Sequence, residues 1–417
     1  MASDSTESFR PGSPTATLAV VAVAALVRFG WASWVPIRPV SDSAMYLLYA
    51  VRLAAGNGYT SEAGNPIAFW PVGPSFFYSL FVRTFENPMP WIAAFQAMLG
   101  AATVLGVMLL ARRWFSPAVA FTAGALLAVW PSQIQFVTVL ASELLFLAVM
   151  VAAWYAWDRD ASTRQPGWAV AAGLLLGISC FFRPVSLLLL VPWSLARLVE
   201  TGAWRRTLIG AGIAAVVMAA TVAPWTLRNY YAFGSAVIIS TNGGTNLWMG
   251  NHPDSDGRYH PIPRDGVRRK PQHLRDAELG RRAREFITAD PIGFVSRSIR
   301  KAVLLHDRET IGVRWNAEGI SDRIGQDGIK IFRILSTGYW WGVLALALGG
   351  LVILARRNGF WRMAFHPAVL TWAYFAAIHG VIVIQDRYHF PVIPSVAMLA
   401  AVALMAWLPK QASGPQP

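Results

Sequence analysis

The sequence predicts an all-helical protein that crosses a membrane about ten times. Of its 417 residues, 55% are hydrophobic and only 14% are charged, which leaves more apolar surface than a soluble fold of this size can bury. Apolar runs recur along the chain, most of them close to the length of about 20 residues that a helix needs to cross hydrocarbon. Basic residues concentrate between alternate runs, as the positive-inside rule expects of a multi-pass protein.

Ten of these runs are predicted to span the membrane. They lie near residues 15–35, 91–111, 117–133, 138–157, 168–182, 184–199, 207–227, 333–355, 364–385 and 389–408. The stretch 71–86 is short, begins with prolines and carries Arg83 near its end, so we predict an interfacial or re-entrant helix there. The pair 168–182 and 184–199 is also short, and a single re-entrant hairpin is the alternative.

The charge pattern predicts an orientation. With the N-terminus inside, the short inner loops contain Arg112, Arg113, Arg159, Arg164, Arg197, Arg205, Arg206, Arg356, Arg357, Arg362 and Lys410. Both termini are then cytoplasmic in a multi-pass protein of the cell membrane. Two long segments, 36–90 and 228–332, face outward.

Five regions follow from this topology. They are a disordered cytoplasmic N-terminus (1–14), an N-terminal transmembrane module (15–227) with its first outer loop (36–90), an outer-face loop region of mixed structure (228–332), C-terminal transmembrane helices (333–408) and a disordered tail (409–417). Within the first loop, SDSAMYLLYAVRLAAGNG predicts a surface helix capped by Ser41. Within the second, DPIGFVSRSIRKAVLLH combines an apolar stripe with Arg297, Arg300 and Lys301, which is typical of an interfacial helix.

Composition and motifs argue against several classes of protein. The net charge of +14 is assigned to loops and lipid headgroups rather than to nucleic acid. The single cysteine, Cys180, excludes an internal disulfide framework and a cysteine-based zinc site. No P-loop, dinucleotide fingerprint or serine-nucleophile elbow is present, so soluble nucleotide chemistry has no site. His252, His260, His306 and Glu62 leave a divalent metal open, although their spacing matches no metal motif.

Ionisable residues at the outer ends of the spans are the candidates for chemistry. Asp42 follows the first span, where a helix N-terminal charge is the alternative. Glu143 lies one turn inside an apolar helix, and a lone carboxylate there is costly unless it faces a cavity or a partner. Arg183, beside Pro184, could serve a polar site or snorkel, and Arg28 is predicted to snorkel.

Two loops add further candidates. The hairpin IQDRYHFPVIP holds Asp386, Arg387 and Tyr388; a surface ion pair is one reading, and phosphate binding by the guanidinium is the other. The stretch STNGGTNLWMGN offers glycine backbone that could approach a ligand and Trp248 that could stack on a sugar, with a plain loop as the alternative.

These pieces, in their order, resemble the GT-C membrane glycosyltransferases. The resemblance rests on SDSAMYLLYA, SELLF, the Arg183–Pro184 break, PWTLRNYYAFG, STNGGTNLWMGN and RYHFPVIP, and covers about residues 15–408. It is strongest to the bacterial branch related to protein O-mannosyltransferases and lipid A aminoarabinose transferases. Ser43 departs from the family's commonest pattern, in which a second acid follows the first-loop aspartate.

The resemblance implies an inverting transferase without a known cofactor that moves a sugar from a polyprenyl-phosphate donor to a hydroxyl on an envelope lipid, glycan or protein at the outer face. Asp42 would be the catalytic base, and Glu143 a second acid that orients donor or acceptor. Arg387, with Arg183 or Arg228, would neutralise the leaving phosphate. The remaining substrate-binding candidates are Tyr46, Glu62, Asn246, Trp248, Asp386 and Tyr388. A carrier or flippase for polyprenyl-linked substrates and a non-catalytic assembly subunit are the rival functions.

Overall fold

The computed structural model of the protein describes residues 11–163 and 165–407. This part of the chain is helical throughout and contains no strand, only an isolated bridge between Thr60 and Pro66. The predicted all-helical membrane fold is therefore confirmed. The segments predicted to be disordered, 1–14 and 409–417, lie outside the described residues apart from 11–14, as do Arg164 and Lys410.

The described part of the chain contains eighteen α-helices, numbered here in chain order. The first ten are α1 Pro14–Trp34, α2 Asp42–Ala54, α3 Val72–Thr84, α4 Pro88–Trp114, α5 Pro117–Ala128, α6 Pro131–Gln135, α7 Glu143–Thr163, α8 Pro166–Phe182, α9 Leu190–Thr201 and α10 Trp204–Phe233. The others are α11 Gly243–Gly250, α12 Gln272–Ala289, α13 Pro291–Leu304, α14 Ile311–Trp315, α15 Ala317–Asn358, α16 Phe360–Ala364, α17 Pro367–Val381 and α18 Ile393–Trp407. Short 3-10 turns cover Phe136–Thr138, Pro184–Leu188, Gly266–Arg269 and Phe390–Val392.

Helices lie at all ten predicted spans, but they differ in length. Among the residues that the structure describes, six segments are long and apolar enough to cross a membrane: Pro14–Trp34, Pro88–Trp114, Pro184–Thr201, Trp204–Phe233, Ala317–Asn358 and Phe390–Trp407. A seventh candidate is α5 with the following turn, which bends by 54°. Helices α8 and α17 are apolar but have only 17 and 15 residues, and α7 carries charged residues at both ends. The chain is therefore a multi-pass membrane protein.

Prolines set several of the boundaries that matter for function. Proline is tolerated in the first turn of a helix because the amide hydrogen it lacks would have no partner there. Pro184 forces an extended backbone on Arg183 (φ −144°, ψ 110°), which ends α8 and separates it from α9. The side chain of Arg183 is thereby presented at the end of the helix.

The helices pack into one bundle around α18. This helix contacts α15 and α5, and 78% of its span is buried, against 22% for α10 at the periphery. Helix α7 packs against α4 and α8, and α8 also packs against α10. Helix α15 kinks at Ile324–Gly325, where Gly325 has a φ of +72° that a glycine adopts without strain.

The prediction that Arg28 snorkels is wrong. Its side chain is fully buried, and its guanidinium donates hydrogen bonds to the carbonyl groups of Ala128 (2.9 Å) and Leu127 (3.0 Å) at the C-terminal end of α5. A cation there is favourable because the last carbonyls of a helix have no partner within the helix. Arg28 thus joins α1 to α5.

The two long segments between the spans, 36–90 and 228–332, contain helices at the predicted places. Ser41 precedes α2 as predicted but makes no capping hydrogen bond, because its backbone adopts a φ of +52°. Region 228–332 consists of helices and loops. Helix α13 leaves an apolar stripe exposed at Ile292, Val295, Ile299 and Val303, as an interfacial helix would.

Candidate active site

Four charged side chains from distant parts of the sequence meet at one end of the bundle. Arg387 Nη2 lies 2.5 Å from Asp42 Oδ2, and Arg387 Nη1 lies 3.4 Å from Glu143 Oε1. Arg183 Nη2 lies 2.6 Å from the same Glu143 oxygen. We call this sequence of contacts, Asp42–Arg387–Glu143–Arg183, the ion-pair chain.

Local structure explains why each charge is at its place. Asp42 and Glu143 are the first residues of α2 and α7, and a carboxylate is stabilised at a helix N-terminus. Arg183 follows the last residue of α8, where a cation is favoured. Arg387 lies in the hairpin between α17 and α18. Three helix ends and one hairpin therefore converge on one site.

Each of the three guanidinium nitrogens of Arg387 has a partner in this structure. Its Nε donates to Gln385 Oε1 at 2.9 Å while the two terminal nitrogens face Asp42 and Glu143. Its guanidinium also lies 4.6 Å from the ring centroid of Trp315, in a cation–π contact. Any further anion that binds Arg387 must share or exchange one of these partners.

Among the four residues of the ion-pair chain, Asp42 has the most exposed side chain. Its side chain is 28% exposed, against 9% for Arg387 and Arg183 and 0% for Glu143. Burial raises the pKa of the Asp42 carboxyl, but the charge and hydrogen bond of Arg387 outweigh this effect and hold the pKa below its usual value of 3.8. Asp42 is therefore ionised at neutral pH.

A cavity of about 1960 Å³ opens beside the ion-pair chain. Asp42, Trp70, Trp315, Asp386 and Arg387 line it, whereas Glu143 and Arg183 lie behind them. Its basic lining residues outnumber its acidic ones by nine to three: Arg258, Arg264, Arg268, Arg269, Lys270, Arg275, Arg308, Arg314 and Arg387 against Asp42, Asp256 and Asp386. The cavity is therefore strongly cationic.

The hairpin that carries Arg387 is held by the region 228–332. Val383 N donates to Asn246 O (3.1 Å), and Ile384 N donates to Gly257 O (2.8 Å). Asp386 does not pair with its neighbour Arg387; Oδ2 accepts hydrogen bonds from Thr310 N (2.9 Å) and Thr310 Oγ1 (2.6 Å). The surface ion pair considered for these two residues is absent.

Lys301 stabilises the backbone at the start of the same hairpin. The sequence pattern indicates a surface cation, yet Lys301 is only 2% exposed, and Nζ donates to Gly250 O (3.0 Å), Val381 O (3.1 Å) and Ile382 O (3.1 Å). Burial, together with the nearby charge of Arg297, lowers the pKa of Lys301 to about 8. This residue fixes the end of α17 just before the hairpin that carries Arg387.

Other predicted site residues lie apart from the ion-pair chain. Arg228 donates to Tyr59 O (2.7 Å) and Ile67 O (2.9 Å), so it fixes the backbone of the first loop. Glu62 is exposed and does not line the cavity. Asn246 contributes its backbone carbonyl to the hairpin.

The two tyrosines predicted to bind substrate, Tyr46 and Tyr388, lie next to the ion-pair chain. Tyr46 is buried one turn after Asp42, and burial together with the carboxylates of Asp42 and Glu143 raises its pKa well above 10.0. Tyr388 stacks on His379, with ring centroids 4.7 Å apart, and Arg183 lies 5.5 Å from its ring. Tyr46 therefore lies beside the two carboxylates of the ion-pair chain, and Tyr388 lies beside Arg183.

The glycine-rich stretch serves packing in this structure. The amides of Gly244 and Thr245 donate to Asp276 (3.1 and 2.7 Å), and a Cβ on Gly250 would lie 2.6 Å from the Ile382 carbonyl carbon. Trp248 stacks on His252 with ring centroids 4.4 Å apart and does not line the cavity.

The candidate metal ligands are dispersed. His252 packs against His260, whereas His306 hydrogen-bonds to Trp372 Nε1 (2.8 Å) in another part of the bundle. No group of three or more His, Cys, Asp or Glu side chains suitable for a metal occurs in residues 11–163 and 165–407.

Three side chains that contact the ion-pair chain were not singled out from the sequence. Trp70 Nε1 donates to Asp42 Oδ1 (3.4 Å), Ser142 Oγ accepts from Arg183 Nε (3.2 Å), and Trp315 carries Arg387 on its ring face. Nineteen tryptophans occur in the chain, so composition alone could not rank Trp70 and Trp315.

Comparison with known proteins agrees with the multi-pass helical membrane fold described above. Residues 70–227 match the family model described as dolichyl-phosphate-mannose-protein mannosyltransferase, which is less than half of the chain. Among curated proteins the sequence has no match. The resemblance stated from the sequence is confirmed at the level of this partial match and of the fold.

Solved structures show the same fold at low identity. ArnT from Cupriavidus metallidurans bound to undecaprenyl phosphate is 17% identical, with a TM-score of 0.58 over 93% of this chain and 60% of that chain. The archaeal oligosaccharyltransferase AglB from Archaeoglobus fulgidus, in complex with an inhibitory peptide and a dolichol-phosphate, is 15% identical, with a TM-score of 0.53 over 94% and 50%. This chain thus spans about half to three fifths of the length of these proteins.

Proposed function

We propose that the protein is a membrane glycosyltransferase that moves a sugar from a polyprenyl-phosphate donor to an acceptor hydroxyl, with inversion. The observation that carries this proposal is the ion-pair chain, in which an ionised carboxylate and a guanidinium lie side by side at the mouth of a cationic cavity. A base and a phosphate-binding cation are the two groups that such a transfer needs. The fold shared with proteins that bind undecaprenyl phosphate and dolichol-phosphate supports the choice of donor.

In the proposed reaction the acceptor oxygen attacks the anomeric carbon while the bond from that carbon to the phosphate oxygen breaks. Asp42 accepts the hydroxyl proton, and Arg387 neutralises the phosphate as its charge grows. Trp70 donates a hydrogen bond to Oδ1 of Asp42, the oxygen that does not face Arg387. Glu143 and Arg183 fix the position of Arg387. In this arrangement Arg183 acts on the phosphate through Glu143 and Arg387, and Arg228 acts only by shaping the first loop.

The contacts of Arg387 couple donor binding to the base. Because each nitrogen of its guanidinium already faces Asp42, Glu143 or Gln385, a donor phosphate that binds Arg387 shares or exchanges one of these partners. Of the two carboxylates, Asp42 is the more exposed and lines the cavity, so we expect the phosphate to replace it. Asp42 would then turn its carboxylate toward the acceptor hydroxyl.

A carrier or flippase is the second candidate function. It would move the lipid-linked sugar across the membrane without breaking the glycosidic bond. Purified protein in proteoliposomes, given polyprenyl phosphate with a radiolabelled sugar and an extract of envelope acceptors, separates the two. Label that leaves the organic phase with the acceptor supports the transferase, whereas label that changes leaflet but stays on the lipid supports the carrier.

We further propose that both termini are cytoplasmic and that the cavity faces outward. The basic residues at the opposite ends of the spans, such as Arg112, Arg113 and Arg356, support this orientation. The one native cysteine, Cys180, is buried, so introduced cysteines can be labelled on a clean background. We expect a membrane-impermeant maleimide to label Glu62→Cys in intact cells and Arg356→Cys only after permeabilisation. The reverse pattern would invert the topology and place the cavity in the cytoplasm.

A further inference from the structure

Within the proposed function, the cavity carries more positive charge than one lipid phosphate requires. Five of its arginines have no carboxylate of the described chain within ion-pair distance: Arg264, Arg268, Arg269, Arg275 and Arg314. By contrast, Arg258 and Arg308 are both paired with Asp307, and Arg387 is paired with Asp42. Clustered cations without counterions repel one another, so such a cluster is stabilised when anions bind.

Three of these five arginines, Arg264, Arg268 and Arg269, lie on the segment 258–271, which we call the arch. The residues that flank the arch hold it in place. Ile384 N donates to Gly257 O (2.8 Å) just before its start, and Gln272 Nε2 donates to Pro66 O (2.9 Å) just after its end. Ile384 lies three residues before Arg387, and Pro66 lies four residues before Trp70. The arch therefore connects the two walls that carry the base and the phosphate-binding cation.

The choice of basic residue narrows the chemistry of the ligand. Eight of the nine basic lining residues are arginines, whose planar guanidinium binds phosphate and carboxylate groups by two parallel hydrogen bonds. Tyr259 on the arch exposes 62% of its surface, and Phe69 and Trp70 line the opposite wall. Flat apolar faces between fixed cations suit sugar rings that carry several anionic groups.

We propose that the acceptor is a polyanionic saccharide, with its hydroxyl on a glycan or glycolipid headgroup that bears several phosphate or carboxylate groups. The arch cations bind these groups and present a neighbouring hydroxyl to Asp42, while Arg387 remains available to the donor phosphate. This inference rests on the proposed function for the word acceptor, but the anion site itself can be measured separately.

The test uses the full-length protein in nanodiscs of zwitterionic lipid, with fluorescently labelled sulfated dextran oligosaccharide as the probe and neutral dextran of equal length as the blank. We expect wild-type protein to bind the sulfated probe alone. The variant Arg264→Ala/Arg268→Ala/Arg269→Ala, which removes three exposed side chains without ion pairs, should bind it at least about tenfold more weakly. The matched control Arg284→Ala/Arg300→Ala/Arg323→Ala loses the same charge outside the cavity and should bind as wild type does.

Three outcomes would overturn the inference. Equal losses in both triple variants would mean that net charge alone attracts the probe. Loss of binding in nanodiscs with phosphatidylglycerol would mean that the arch holds membrane headgroups. Tighter binding of a poly-glutamate peptide would indicate an acidic protein as the partner.

Undecaprenyl phosphate binding, measured in parallel, separates this inference from the proposed function. Wild-type protein that binds sulfated dextran but not undecaprenyl phosphate would contradict the polyprenyl-phosphate donor and leave the anion-binding arch in place. The arch variant should bind undecaprenyl phosphate normally, because Arg387 and Asp42 are unchanged. A loss there would show that the arch cations serve the donor phosphate, and would overturn the assignment to the acceptor.

Discussion

Replacing Asp42 with asparagine is expected to lower sugar transfer by at least about 10³-fold while leaving donor binding intact. Asparagine keeps the size of the side chain and its hydrogen bond from Trp70, but an amide cannot accept the acceptor proton. Positioned general bases contribute roughly 10²–10⁴-fold, and Asp42 is the member of the ion-pair chain most open to the cavity. The measurement is kcat with saturating donor, together with the Kd for undecaprenyl phosphate.

Glu62→Gln is the informative comparison for this variant. Glu62 lies on the same loop as Asp42, but it is exposed and outside the cavity lining. We expect Glu62→Gln to keep wild-type activity. A silent Asp42→Asn together with an inactive Glu62→Gln would assign the first-loop carboxylate to the wrong residue and require the loop to rearrange on substrate binding. Unchanged thermal unfolding of both variants is the control for folding.

The overall architecture was predictable because the cost of exposing polar backbone in lipid dictates helices of a minimum apolar length. That rule placed a helix at each of the ten predicted runs, of which six or seven in the described residues are long and apolar enough to span a membrane. Helices α8 and α17 were harder to judge because they are shorter than the bilayer requires. The orientation argument placed the charged residues at common ends of the bundle. Asp42, Glu143, Arg183 and Arg387 do meet there.

What could not be predicted depends on how distant segments approach each other. An arginine near the end of a span has the same sequence signature whether it snorkels or binds carbonyls of another helix, so Arg28 was misjudged. Lys301 lies on an amphipathic helix among exposed cations, and only the packing of α11 and α17 against α13 shows that it is buried. Trp70 and Trp315 gain importance solely because segments far apart in the sequence line the same cavity.

Replacing Arg387 with glutamine is expected to have two effects that can be measured separately. The first is a fall in kcat of roughly 10³-fold with weaker binding of undecaprenyl phosphate, because the charge that forms on the leaving phosphate loses its cation. The second is a shift in the pH profile. In the wild type, Arg387 holds the pKa of Asp42 below 3.8 against the opposing effect of burial. Without this cation the effect of burial dominates, and the pKa of Asp42 rises.

The direction of the pH effect follows from the role of Asp42 as a base. Only the ionised carboxylate accepts a proton, so kcat/KM falls as the pH drops through the pKa of Asp42 in the free enzyme. We expect the acid limb below pH 3.8 in the wild type and at higher pH in Arg387→Gln. Arg387→Lys keeps a positive charge but loses the fork that serves Asp42 and Glu143 together, so it should restore the low acid limb while recovering only part of kcat. If the glutamine variant keeps the wild-type acid limb, then Arg387 does not set the ionisation of Asp42, and the coupling between donor phosphate and base would have to be abandoned.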